Sequence, residues 1–132
     1  MISKRRSFII GIKGKKLTKP EIIFLRKYKP WGIILFSRNI KSLKQTQLLT
    51  KNIKLLFKNA KYPIFIDEEG GRVSRLFKFI DNSKFSAEYF GNLYLRDKKK
   101  FNIFFKIYID QISHLLNFLG ININTVPVLD VR

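Results

Sequence analysis

Pro63-Ile-Phe-Ile-Asp-Glu-Glu-Gly-Gly-Arg-Val-Ser-Arg-Leu76 changes character within one residue. Ile64 to Ile66 is a short apolar run of the kind that makes a strand buried on both faces. Asp67, Glu68 and Glu69 then place three carboxylates side by side, Gly70 and Gly71 follow, and Arg72 and Arg75 come next. Charges at a strand end are costly unless they are solvated, paired or bound to a ligand. Glycines there let the backbone turn sharply or let a ligand approach closely. The plain alternative is a strand-to-helix loop whose acids pair with its own arginines.

Upstream of this stretch, Phe8 to Ile12 reads as a first short strand that ends at Gly14. Thr18 with Glu21 three residues on makes a capping box, and Pro20 is tolerated in a first helical turn. That helix runs to about Lys27 and is ended by Pro30 and Gly32. Gly32 to Phe36 is a second apolar strand, followed by Ser37, Arg38 and Asn39. Ser42 and Gln45 repeat the capping pattern, and Leu48, Leu49, Ile53, Leu56 and Phe57 recur at helical spacing. Downstream, 73–80 is open between a short helix and irregular structure, and 81–96 reads as loop with at most a turn of helix. Lys98 to Leu119 is helical by its apolar period, with Gly120 suited to the C′ position. The last strand is read as 124–130, where Pro127 implies a bulge or late entry into the sheet.

Strands alternating with helices predict an α/β fold with a parallel sheet under helices. Arg38, Asp67 and Asp130 then fall at C-terminal strand ends, the edge that carries ligands in doubly wound sheets and in (β/α)₈ barrels. A structural partnership with a neighbouring loop is the other role open to Asp130. His114, the only histidine, reads as a helix-face residue, and the spacing of Gly11 and Gly14 fits neither a dinucleotide fingerprint nor a P-loop.

The 132 residues suffice for one modest domain, and a hydrophobic content of 45% excludes a disordered tail. Without cysteine there is neither a disulfide framework nor a thiolate metal site. No membrane span is expected, and the five apolar-rich residues after Lys4, Arg5 and Arg6 are too short for a secretion signal, so a cytoplasmic protein is the default. The net charge of +18 is lopsided: residues 1–60 hold 16 of the 27 basic residues and one acid, Glu21. With 19 Lys, 19 Ile and 9 Asn against 2 Ala, compositional drift accounts for this as well as selection does. The lysines are scattered rather than interleaved with aromatics, so nucleic acid is not the expected partner.

Three segments carry a family resemblance: Gly32-Ile-Ile-Leu-Phe-Ser-Arg-Asn39, Ile66-Asp-Glu-Glu-Gly-Gly-Arg-Val-Ser-Arg75 and Pro127-Val-Leu-Asp-Val131. In order and spacing they are similar to three successive signatures of glycoside hydrolase family 3, in particular the bacterial β-N-acetylhexosaminidases of peptidoglycan recycling. The resemblance implies an incomplete (β/α)₈ TIM-type barrel, about four β/α units of it, with residues 1–132 as the N-terminal part of a single barrel domain. It implies release of terminal N-acetylglucosamine from muropeptides by a retaining mechanism, without cofactor or metal. Asp67 and Arg75 take sugar-binding positions, with Asp130 close by at the next strand end. The family draws its nucleophilic aspartate, its histidine acid/base and a sugar-gripping Lys-His pair from later strands, in a barrel of about 250 residues. No catalytic residue is therefore assigned, the polypeptide alone is expected to be inactive, and a second chain completing the barrel is a candidate partner. The rival is a non-catalytic module, either a sugar-binding half-barrel or a basic protein that binds nucleic acid through residues 1–60.

Overall fold

The computed structural model describes residues 5–128. Their elements run β1 (Arg6–Gly11), α1 (Lys19–Tyr28), β2 (Pro30–Leu35), α2 (Leu43–Leu56), β3 (Ile64–Ile66), α3 (Ala87–Arg96), α4 (Lys98–Phe118) and β4 (Ile123–Asn124), with a single 3₁₀ turn at Ser37–Asn39. The four strands form one sheet in the order β1-β2-β3-β4, every pair parallel. This is the strand-helix alternation expected of about four β/α units.

Local chemistry sets most helix ends. Thr18 caps α1, and its N–H and hydroxyl donate to Glu21 Oε2 at 2.8 and 2.6 Å, the capping box read from the sequence. Ser42 Oγ accepts Gln45 N–H at 3.2 Å at the start of α2. Gly120 adopts φ +75° just past α4, the left-handed C′ conformation that glycine takes without penalty. The segment 81–96 departs from the expectation of loop: ten of its residues form α3, capped by Ser86 Oγ at 3.1 Å from Tyr89 N. Phe90, the buried residue of α3, lies with its ring centroid 5.0 Å from that of Phe105 and 5.1 Å from that of Tyr108, both on α4. Helix packing rather than intrinsic propensity makes this helix, because Gly91 and Asn92 weaken it internally.

The stretch 73–80 contains no helix. The last strand is also shorter than expected: 125–128 lies outside it, and 129–130 lies outside the described residues. Side chains complete what the ladder lacks. Asn122 Oδ1 accepts Ile64 N–H at 2.8 Å and its Nδ2 donates to Tyr62 O at 3.0 Å. Asn124 does the same to Glu68, accepting its N–H at 2.9 Å and donating to its O at 3.0 Å.

One sheet face is the core. Ile33, Leu35, Ile64 and Ile66 are fully buried there against Leu25 of α1, Leu49 and Ile53 of α2, and Ile112 and Leu116 of α4. Burial of each such side chain contributes roughly 2 kcal/mol. The register places Ile9, Gly32, Ile34, Phe65 and Ile123 on the other face. It is less covered, and Ile9 is 45% exposed. Gly32 is required here: a Cβ would stand 2.5 Å from the Phe65 ring.

Candidate functional site

Polar groups collect where β2, β3 and β4 end. β3 delivers Asp67 directly after the buried Ile66. The Asp67 carboxylate lies 3.5 Å from an Arg75 terminal nitrogen and accepts a short hydrogen bond from Thr125 Oγ1, which follows β4. Both charged side chains are about a quarter exposed, 24% for Asp67 and 27% for Arg75. The Arg75 guanidinium also stands 5.7 Å from the centre of the Phe36 ring, just beyond β2. Arg38 approaches the same ring at 4.5 Å while its Nε donates to Ile12 O at 3.0 Å. The structure therefore brings Asp67, Arg75 and Arg38 to one edge of the sheet. Asp130 lies outside the described residues, and His114 is exposed on α4.

The loop that carries Arg75 is held from inside by a residue that sequence reasoning passed over. Glu68 is 1% exposed. Its Oε2 accepts the backbone N–H groups of Arg75 at 2.7 Å and Leu76 at 2.9 Å, and its Oε1 accepts Asn82 Nδ2 at 3.2 Å. A carboxylate only accepts hydrogen bonds, so it suits a site ringed by N–H donors. Gly70 and Gly71, at φ +78° and +61°, turn the chain back so that Glu69 N–H donates to Val73 O at 3.0 Å. Gly71 N–H donates to Asn82 O at 2.9 Å. Space is as restrictive as φ at Gly70, where a Cβ would sit 2.1 Å from Phe85 O and 2.8 Å from the Tyr108 hydroxyl. Burial, with the Glu68 charge as a smaller cause, pushes the Tyr108 phenol up to about 12, so it stays protonated at neutral pH. The signal that could have found Glu68 is its place two residues past the buried Ile66, in the same alternation as Ile64 and Ile66 and inside the carboxylate run.

Among the described residues, four buried side-chain polar atoms find no partner within the protein: Ser74 Oγ, Arg75 Nε, Asn82 Oδ1 and Tyr108 Oη. All belong to the loop 67–82 or lie against it. A part-exposed carboxylate beside a part-exposed guanidinium can take neighbouring hydroxyl groups: the carboxylate accepts their protons and the terminal nitrogens of the arginine donate to their oxygens. The same geometry argues against proton-transfer catalysis by these acids. Asp67 is occupied by Arg75 and Thr125, and both Glu68 oxygens are turned into the loop.

No family model matches the chain. Individual relatives do. It is 32% identical over 114 residues to the β-hexosaminidase A of Pseudoalteromonas piscicida, a match covering 82% of this chain and 18% of that protein. The crystal structure of NagZ from Neisseria gonorrhoeae superposes with a TM-score of 0.84 at 28% identity, covering 96% of this chain and 37% of NagZ. A fungal multi-domain β-N-acetylglucosaminidase of glycoside hydrolase family 3 superposes with a TM-score of 0.67 at 29% identity, over 95% of this chain and 14% of that one. The chain thus spans well under half the length of the relatives it matches. It resembles an N-terminal part of the β-hexosaminidases of glycoside hydrolase family 3.

Proposed function

We propose that this chain is the N-terminal, sugar-binding part of a β-N-acetylhexosaminidase barrel, residues 1–132 forming one portion of a single domain. The observation that carries the reading is the part-exposed Asp67–Arg75 pair at the C-terminal edge of a parallel sheet. The ligand is terminal N-acetylglucosamine, supplied by muropeptides in the cytoplasm. Asp67 accepts hydrogen bonds from the hydroxyls of that sugar, Arg75 donates to them, and Asp130 is the third residue assigned to the sugar. A retaining glycosidase needs a nucleophile and an acid/base group about 5–5.5 Å apart across the scissile bond. Asp67 and Glu68 are otherwise engaged, so the 132-residue polypeptide alone does not hydrolyse glycosides and acts only with the remaining strands of the barrel, including those a second chain could bring. The less covered sheet face, with Ile9 and Phe65, is where those strands complete the interior.

The test pairs binding with turnover. Titration of N-acetylglucosamine into the chain should shift the backbone amide resonances of 67–76, and Asp67→Ala should abolish the shift. A chromogenic β-N-acetylglucosaminide should remain intact. Hydrolysis by the chain alone, lost in Asp67→Ala, would refute the assignment of a purely binding role.

A further inference from the structure

We propose that Glu68 is the positioning residue of this site, a buried carboxylate that sets the distance between Asp67 and Arg75; the sugar-binding consequence rests on the reading above. A part-exposed ion pair at 3.5 Å is too weak to order the loop 67–82 against its conformational entropy. Something buried must fix both members.

Glu68 does so from two directions. Its peptide group is bracketed by the Asn124 amide, at 2.9 and 3.0 Å, while Thr125 N–H donates to Ile66 O at 3.0 Å. The backbone on either side of Asp67 is thereby tied to β4. The Glu68 side chain reaches seven and eight residues along the sequence to hold Arg75 and Leu76 by their N–H groups, both on one oxygen. Its other oxygen holds Asn82, whose own backbone carbonyl receives Gly71 N–H. Both members of the pair thus have their backbones referenced to the same residue. Buried charge-assisted hydrogen bonds of this kind are each stronger than a part-exposed ion pair, so the clamp outweighs the pair it positions.

Isosteric replacement separates positioning from charge. In Glu68→Gln the side-chain oxygen can keep the Arg75 and Leu76 N–H groups, and the new amide can donate to Asn82 Oδ1 once the Asn82 amide turns over, because that oxygen has no partner in the protein. Glu68→Ala removes every acceptor, and Glu68→Asp keeps the charge but withdraws it by one methylene.

The experiment uses the full 132-residue chain and two readouts: exchange of the Arg75 and Leu76 amides and the Arg75 Nε–H, and titration with N-acetylglucosamine. Glu68→Ala and Glu68→Asp should each speed that exchange and weaken the sugar by about tenfold or more, with α2 amides unchanged, while Glu68→Gln stays within about threefold of the parent on both. Undiminished sugar affinity in Glu68→Ala or Glu68→Asp overturns the proposal. So does a Glu68→Gln chain that keeps its amide protection and loses the sugar, since the charge itself would then be acting on the ligand. If the parent chain binds no N-acetylglucosamine, the sugar reading fails by itself and exchange at Arg75 decides: faster in Glu68→Asp supports the clamp, unchanged overturns it.

Discussion

Asn39 and Glu68 meet the same problem at neighbouring strand ends with opposite chemistry. After β2, the fully buried Asn39 accepts Phe36 N–H through Oδ1 at 2.9 Å and donates through Nδ2 to Ile12 O at 3.1 Å and Gly14 O at 2.8 Å. It stitches the end of β2 to the loop that follows β1. After β3, Glu68 gathers only N–H groups. An amide can join carbonyls to an N–H because it donates and accepts; a carboxylate can join only donors. The first region is closed and neutral at its centre, and the Arg38 guanidinium beside it rests on Phe36. The second places a buried charge beneath a part-exposed one. The difference separates a region built for connection from one built to hold charged side chains in place.

The largest way to break that comparison is to exchange the chemistry of the first pin. Asn39→Asp would face a buried carboxylate toward two carbonyl oxygens, with the neighbouring Arg38 Nε–H already spent on one of them. We expect a loss of about 3–5 kcal/mol at pH 7, the usual cost of an uncompensated buried charge. The introduced acid would have a folded-state pKa raised above its unfolded value of about 3.9. Stability relative to the parent should therefore recover below that value and fall as pH rises, which urea denaturation at pH 4 and pH 7 would show. An equal loss at both values would mean that shape rather than charge governs the position.

Gly70→Ala strikes only the second region. The left-handed φ and the clash with Phe85 O act together, and we expect a loss of about 2–3 kcal/mol, as for other overpacked sites. Amide exchange should locate the damage: 68–82 loses protection while the loop after β1 keeps its own. Damage spread evenly over both loops would contradict their separate construction.

Which parts of these regions were legible follows from the range of the interactions. The existence of the first three strands, the Thr18 and Ser42 caps and Gly120 depend on residues within four or five positions, so pattern and propensity reveal them, although β1 and β2 each begin two residues earlier than the apolar runs indicate. Asn39 is specified by Ile12 and Gly14, 27 and 25 residues away, and the Glu68 carboxylate by Arg75, Leu76 and Asn82, 7, 8 and 14 residues away through an irregular loop. No local window contains such pairings. Asp67 and Arg75 were visible as a charged break after an apolar strand, while the residue that holds them hid between them in the same run of acids. α3 was missed because its helix exists by packing against α4, although Ser86 offered a cap. Among the described residues β4 is shorter than its pattern indicates: the apolar Val126 and Val128 look like strand, but the ladder ends with Thr125 N–H on Ile66 O.

The smallest expected effect sharpens the first region. Between the two carbonyls held by Asn39, Lys13 N–H donates to Glu21 Oε1 at 2.7 Å, so Glu21 completes the fastening of the loop after β1 while it caps α1. Burial acts to raise the Glu21 pKa, but the N–H groups of Lys13 and Thr18 and the Thr18 hydroxyl hold it below its ordinary value. A carboxyl group whose pKa is lower in the folded state contributes stability that is present above its unfolded pKa, about 4.3, and is lost as pH falls through the folded value. Acidification from pH 6 should thus remove the contribution over that window, and Glu21→Gln should remove most of the pH dependence with it. The cost at neutral pH should be about 1 kcal/mol, since Gln still supplies one acceptor and the site is near solvent. Exchange at Lys13 and at the first turn of α1 should rise in step, while the Arg75 and Leu76 amides stay protected. Acid-induced exposure of Arg75 at the same pH as Lys13 would show the two strand ends to be one cooperative unit, and the contrast drawn between Asn39 and Glu68 would then lose its physical basis.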